Sequence, residues 1–128
     1  MKQQVGTFSS KVLSLFPSLP IVVDTPIYLS NTNITHMQQA HPEAYQKYGA
    51  DIETILAYPD YIGINKKDSS VEFVREYQID HEFVKVAVRV STNGVYYARS
   101  LYILNNNRVQ NFIKKGTLVK LTTPEKQI

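Results

Sequence analysis

Residues Phe83–Leu104 read FVKVAVRVSTNGVYYARSLYIL, and the way this stretch folds decides the architecture. Val84, Val86, Val88 and Val90 alternate with Lys85, Ala87, Arg89 and Ser91, the period of a strand with one apolar and one polar face. Thr92-Asn93-Gly94 supplies a hairpin turn, and Val95–Leu104 is the return strand. Two registers are open. An Asn93-Gly94 two-residue turn would set Arg99 opposite Val88, among the valines. A type I turn with Gly94 as a left-handed bulge residue pairs Ser91 with Val95 instead. Arg99 then falls opposite Ala87 and Tyr97 opposite Arg89. Burying an unpaired arginine costs on the order of several kcal/mol, so the bulged register is expected. It gathers Lys85, Arg89, Ser91, Tyr97 and Arg99 on one face, with no glutamate among them.

Upstream of the hairpin the pattern is helical. Ile34, Met37, His41, Ala44, Tyr45 and Tyr48 recur at helical spacing. Thr32 or Asn33 offers an N-cap, and Pro42 fits the first turn of a second segment, with a bend at His41. Gly49 ends that segment. Asp51 can cap a further helix with Ile52, Ile55 and Leu56 facing inward, and Tyr58–Tyr61 turns the chain. Before the helices, Ile21–Leu29 is β-branched, but Pro26 restricts it to a short or edge strand, or to two pieces. After the polar loop NKKDSS, Val71–Ile79 alternates as a strand. A short helix near Asn107–Lys115 stops at Gly116, and Thr117–Leu121 is a last strand. Helices followed by strands imply an α+β fold, with the N-terminal helices on one face of an antiparallel sheet. All 128 residues are expected to form one domain, with its core over about 21–121 and the flanks 1–20 and 122–128 not assigned to it.

Composition narrows the function classes. Hydrophobic residues make up 43% and charged residues 20%, a globular balance rather than a disordered one. No cysteine is present, which removes disulfides and thiolate chemistry and fits a reducing, cytoplasmic setting. No apolar run approaches a membrane span, and the N-terminus lacks the cleavage site of a signal peptide. The net charge of +3 hides an asymmetry. Phe83–Lys120 carries Lys85, Arg89, Arg99, Arg108, Lys114, Lys115 and Lys120 without one acidic residue. A polyanionic partner such as RNA or DNA is the natural reading, although solvated lysines and arginines on an outer sheet face are ordinary too.

The chain has three histidines. His36 and His41, in THMQQAHP, stand five apart. Zinc-binding helices place theirs four apart and add a third ligand, so no metal site and no cofactor are expected. His41 lies in the apolar stripe and reads as a hydrogen-bonded core residue, whereas His36 lies well round the helix from it. His81, in IDHEF, reads as a turn residue.

The order ITHMQQAHPEAY, DIETILAYPDYI, VEFVREY, FVKVAVRVSTNGVYYARSLYIL and IKKGTLVKL resembles a known grouping. It is that of the phage- and mobile-element-associated nuclease domains of the Barnase–EndoU–colicin–RelE class. The resemblance covers roughly Tyr28–Leu121. It implies helices packed on an antiparallel sheet whose open face cuts RNA without metal. It further implies a toxin or effector setting, with RNA as the partner and an immunity or antitoxin protein as a second one. By the same resemblance His36 or His41 becomes an acid/base candidate. Lys85, Arg89 and Arg99 become phosphate-binding groups, and Ser91, Tyr97 and Ser100 supporting hydroxyls. Ser100 faces away from Arg99 in any regular strand, so it belongs only if the strand bends there. A barnase-like glutamate base has no expected counterpart. Two other classes stay open: a non-catalytic RNA- or DNA-binding domain, and a phage or mobile-element interaction module using the nine tyrosines.

Overall fold

The structure, a computed structural model, describes residues 2–121. Its elements in chain order are β1 (Lys2–Thr7), α1 (Ser10–Ser14), β2 (Pro26–Ser30), α2 (Asn31–Ala40) and α3 (Pro42–Tyr48). A 3₁₀ turn at Gly49–Asp51 leads to α4 (Ile52–Ala57), β3 (Tyr61–Ile64), β4 (Val71–Tyr77), β5 (Glu82–Val90), β6 (Tyr96–Leu104), α5 (Asn106–Lys114) and β7 (Leu118–Lys120). One seven-stranded sheet joins them in the order β1-β2-β6-β5-β4-β3-β7.

The hairpin adopts the bulged register. Ser91 N–H donates to the Val95 carbonyl, Gly94 takes φ 81°, and Arg89 pairs with Tyr97. One detail differs from expectation. Val88 pairs with Ala98 and Ala87 with Ser100, so Arg99 is an extra, unpaired residue rather than the partner of Ala87. A bulge of this kind bends the strand and reverses its alternation. Before it, Tyr97 shares the face of Arg89. Beyond it, Ser100 and Tyr102 share that face, while Leu101 is fully buried on the other.

One further correction and two additions concern the layers. The sheet is mixed rather than antiparallel throughout, because β2 pairs with β6 in parallel through Ile27–Tyr96 and Tyr28–Tyr97. The flank 1–20 is not outside the core: β1 pairs with β2, and Phe8 and Val12 are buried among the sheet residues. Residues 122–128 lie outside those described. Helix α5, finally, lies against the other face from the buried residues of the N-terminal helices. Met37, Ala44, Ile52, Ile55 and Leu56 join Val84, Val86 and Val88 in the main core, whereas Val109 of α5 packs with Val74, Phe83 and Leu118 against the opposite face. That leaves the opposite face covered at one end and open at the other.

Local chemistry explains the helices. Pro42 sits at the first turn of α3, and the chain bends at His41 as the proline requires. The cap of α2 is Ser30, two residues before Thr32 and three before Asn33: its hydroxyl accepts from Asn33 N–H at 3.1 Å while its own N–H donates to the Asn33 amide oxygen at 3.0 Å. The four-residue β3 has no sequence alternation to announce it. Gly63 is required there, since a Cβ would stand 2.8 Å from the Thr117 carbonyl just before β7.

Glu82 at the start of β5 ties the helices to the sheet, accepting from Lys47 Nζ at 2.7 Å and from the Tyr48 hydroxyl at 2.5 Å. The Lys47 hydrogen bond, then the Tyr48 one, hold its carboxyl below the usual range. Burial and the same carboxylate push Tyr48 up to about 12. A carboxyl whose folded pKa is depressed contributes stability above its unfolded value and loses it as pH falls through the folded one. The melting temperature is therefore expected to drop on acidification below 4.5, the ordinary value for Glu82, and Glu82→Gln to flatten that drop. The raised Tyr48 gives the converse alkaline limb, with stability lost from pH 10 toward 12. Thermal melts across pH check both limbs.

Candidate active site

The open end of the second sheet face is a cavity of about 310 Å³. Its walls come from elements far apart in sequence. Thr32, Asn33 and His36 come from α2, Asp68 and Ser70 from the loop before β4, and Ala87, Arg89, Arg99, Ser100 and Tyr102 from the hairpin. The fold positions each for a local reason. Helix α2 begins where β2 parts from β6 and packs alongside the rest of β6. Met37 is thereby buried in the core, while the preceding His36 is exposed toward the cavity. The Ser30 capping box fixes the first turn, and its helix dipole adds positive character to the same wall.

The bulge at Arg99 brings both Arg99 and Ser100 to the cavity, which a regular strand cannot do. Opposite them, Asp68 accepts from Ser70 N–H at 3.0 Å and from the Ser70 hydroxyl at 2.8 Å. The Ser70 N–H first, with the hydroxyl and the Arg89 charge adding to it, keeps the Asp68 carboxyl below its usual range. Asp68 therefore stays ionised and partly offsets Arg89. Arg99 has no comparable acidic neighbour in the cavity wall.

The remaining candidates stand around this cavity rather than in its wall. Lys85 donates to Glu72 Oε2 at 3.0 Å, with both side chains largely covered, and its ammonium lies 4.8 Å from the Tyr102 ring centroid. Glu72 corrects an expectation: a glutamate does stand on the basic face. The β4–β5 register pairs Glu72 with Ala87, sending Val71 and Phe73 to the core and Glu72 to the side of Lys85. His41 sets its ring edge-to-face on Tyr102 at 4.2 Å, so it supports a cavity residue instead of entering the core. The Ser91 hydroxyl is engaged in the turn, accepting from Asn93 N–H and Val95 N–H. Tyr97 lies on the same face, one step outside the wall. His81 is a turn residue with φ 55°. Sequence reasoning missed Asp68, Tyr102 and Glu72. Only Asp68 had a local signal, the D-S-S run that favours a side-chain-capped turn.

Among the described residues, no three of His, Asp and Glu stand close enough together to hold one metal ion. None of the helices described is long and apolar enough to cross a membrane. The small cavity on the sheet's open face is thus walled by one histidine, two arginines, one aspartate, hydroxyls and a helix N-terminus. The model of one nuclease family, described as phage-Barnase-EndoU-ColicinE5/D-RelE like nuclease3, matches residues 4–111. The chain belongs to that family of phage nucleases. No curated protein matches it, and neither does any solved structure.

Proposed function

We propose that the domain is a metal-independent ribonuclease in which the ribose 2′-hydroxyl attacks the adjacent phosphorus. The P–O5′ bond breaks, leaving a 2′,3′-cyclic phosphate on one fragment and a 5′-hydroxyl on the other. Neutral His36 takes the proton from the 2′-oxygen; histidine is the side chain whose ordinary pKa suits this near neutrality. The Tyr102 hydroxyl, from the same cavity wall, gives a proton to the leaving 5′-oxygen. Arg99, and Arg89 to a lesser degree, stabilise the charge that builds on the phosphoryl oxygens. Ser100 and Asn33 add hydrogen bonds to the same group. His41 and Lys85 both contact the Tyr102 ring and hold it, and Glu72, engaged by Lys85, is not the base.

One observation carries this reading: the α2 histidine and the hairpin arginines line a single cavity. The toxin or effector role, with its immunity partner, rests on the resemblance to the class. Incubating the protein with RNA in EDTA tests the chemistry. Cleavage with cyclic-phosphate ends is expected, and it should be weakened by His36→Ala and Arg99→Ala. Cutting that requires added metal would bring the metal back. RNA binding without any product would leave a nucleic-acid-binding domain.

A further inference from the structure

The open sheet face continues past the cavity. Strand pairing sets Arg89 beside Tyr97, Tyr97 beside Tyr28, and Tyr28 beside Gln4, so all four side chains emerge on the cavity's side. Adjacent strands lie about 4.8 Å apart, so this row runs about 15 Å from β5 to β1. Their neighbours Ile27 and Tyr96 turn the other way, toward Phe8 and the core. Tyr28 and Tyr97 belong to neither buried cluster and are half-exposed. Their rings are 6.5 Å apart and inclined at 52°, so each keeps a face that the other does not cover. Lys2, at the far end, holds its ammonium 4.5 Å from the Tyr28 ring centroid.

We propose that Tyr97, Tyr28 and Lys2 form a second subsite. It takes the unpaired bases and the phosphate of single-stranded RNA adjoining the nucleotide in the cavity. The proposal rests on the reading of the cavity as an RNA site, and three observations favour this occupant. The row is continuous with Arg89 in the cavity wall. It alternates cation, ring, ring and cation, the arrangement by which aromatic platforms take successive bases while basic groups track the backbone. The rings are half-buried and belong to neither core cluster, so each keeps part of its surface open to solvent. A duplex keeps its bases stacked on one another and could not offer them to these rings. The subsite makes the enzyme a reader of single-stranded stretches, favouring long substrates over short ones.

The test compares a dinucleoside monophosphate with an unstructured octanucleotide, for cleavage, and measures binding of the 2′-O-methyl octanucleotide, whose blocked oxygen cannot attack. Tyr97→Ala and Tyr28→Ala should each weaken octanucleotide binding by about 5- to 150-fold. Their kcat/KM on the octanucleotide should fall through KM, and by more than on the dinucleotide. Tyr97→Phe and Tyr28→Phe keep the ring and should bind as wild type does. Lys2→Gln should lower the salt slope of binding by about 0.7. Alanine variants that bind the octanucleotide normally, or lose equally on both substrates, would overturn the subsite. Tyrosine-dependent binding without cleavage of ordinary RNA would uphold the subsite and remove the catalytic reading. Equal cleavage of both substrates would do the reverse.

Discussion

His36→Ala is expected to slow RNA cleavage by about 10²- to 10⁴-fold, the usual contribution of a positioned general base and equivalent to roughly 3–5 kcal/mol of barrier. The loss should fall on kcat, because alanine leaves both cavity arginines in place and ground-state binding with them. Binding of a 2′-O-methyl RNA should therefore be nearly unchanged. His41 provides the internal comparison. Its ring touches Tyr102, not the cavity, and an aromatic contact of that kind contributes about 1 kcal/mol. His41→Ala should accordingly slow cleavage by less than about tenfold. Single-turnover rates for the two variants decide the matter. If His36→Ala cuts at the wild-type rate, or His41→Ala is the slower enzyme, the general base has been wrongly assigned.

Arg99→Ala should produce the second large effect, about 10²- to 10³-fold in kcat, because a guanidinium aimed at the developing phosphoryl charge acts most strongly in the transition state. Its side chain is exposed and lies at an unpaired bulge, so folding stability should move by no more than about 0.5 kcal/mol. Arg99→Lys keeps the charge but not the two-pronged geometry, and should recover only part of the rate. Lys85→Met should show the opposite balance. It leaves Glu72 covered without its partner, a loss of about 1–3 kcal/mol visible in the melting temperature, while cleavage suffers less than in Arg99→Ala. Rates and thermal melts for the three proteins separate the two kinds of role. A fully active Arg99→Ala would remove Arg99 from the mechanism.

The basic half of the site was legible in the sequence, and the reason is periodicity. Four alternating valines assign the face of Lys85 and Arg89, and the cost of burying Arg99 chooses the turn. The kink at Pro42, the stripe through Met37 and the buried trio of α4 follow from local geometry in the same way. What escaped was set by contacts between distant segments. Glu72 reaches the basic face only through the β4–β5 register, which no local signal fixes, since the intervening turn allows more than one pairing. Asp68 and Tyr102 are ordinary loop and strand residues until α2 is laid beside β6. The parallel β2–β6 pairing is longer-ranged still, linking strands separated by all the helices from α2 to α4. A four-residue β3 and a polar β1 carry too little pattern to stand out.

The extra residue in β6 has a bearing on how this protein can change over time. A pleated strand assigns its side chains by parity, and Arg99 switches that parity midway. Odd-numbered Tyr97 and even-numbered Ser100 and Tyr102 thus meet on one surface, with Arg99 at the seam. Exchanging Arg99 for another residue alters one functional group. Removing it would close the bulge and keep every pair, Ser100 opposite Ala87, Leu101 opposite Val86 and Tyr102 opposite Lys85, so only the guanidinium would be lost. Chain length in this strand is therefore constrained unevenly: a single-codon deletion at Arg99 leaves both faces in place, whereas one at Leu101 would bring Tyr102 opposite Val86 and turn it toward the core.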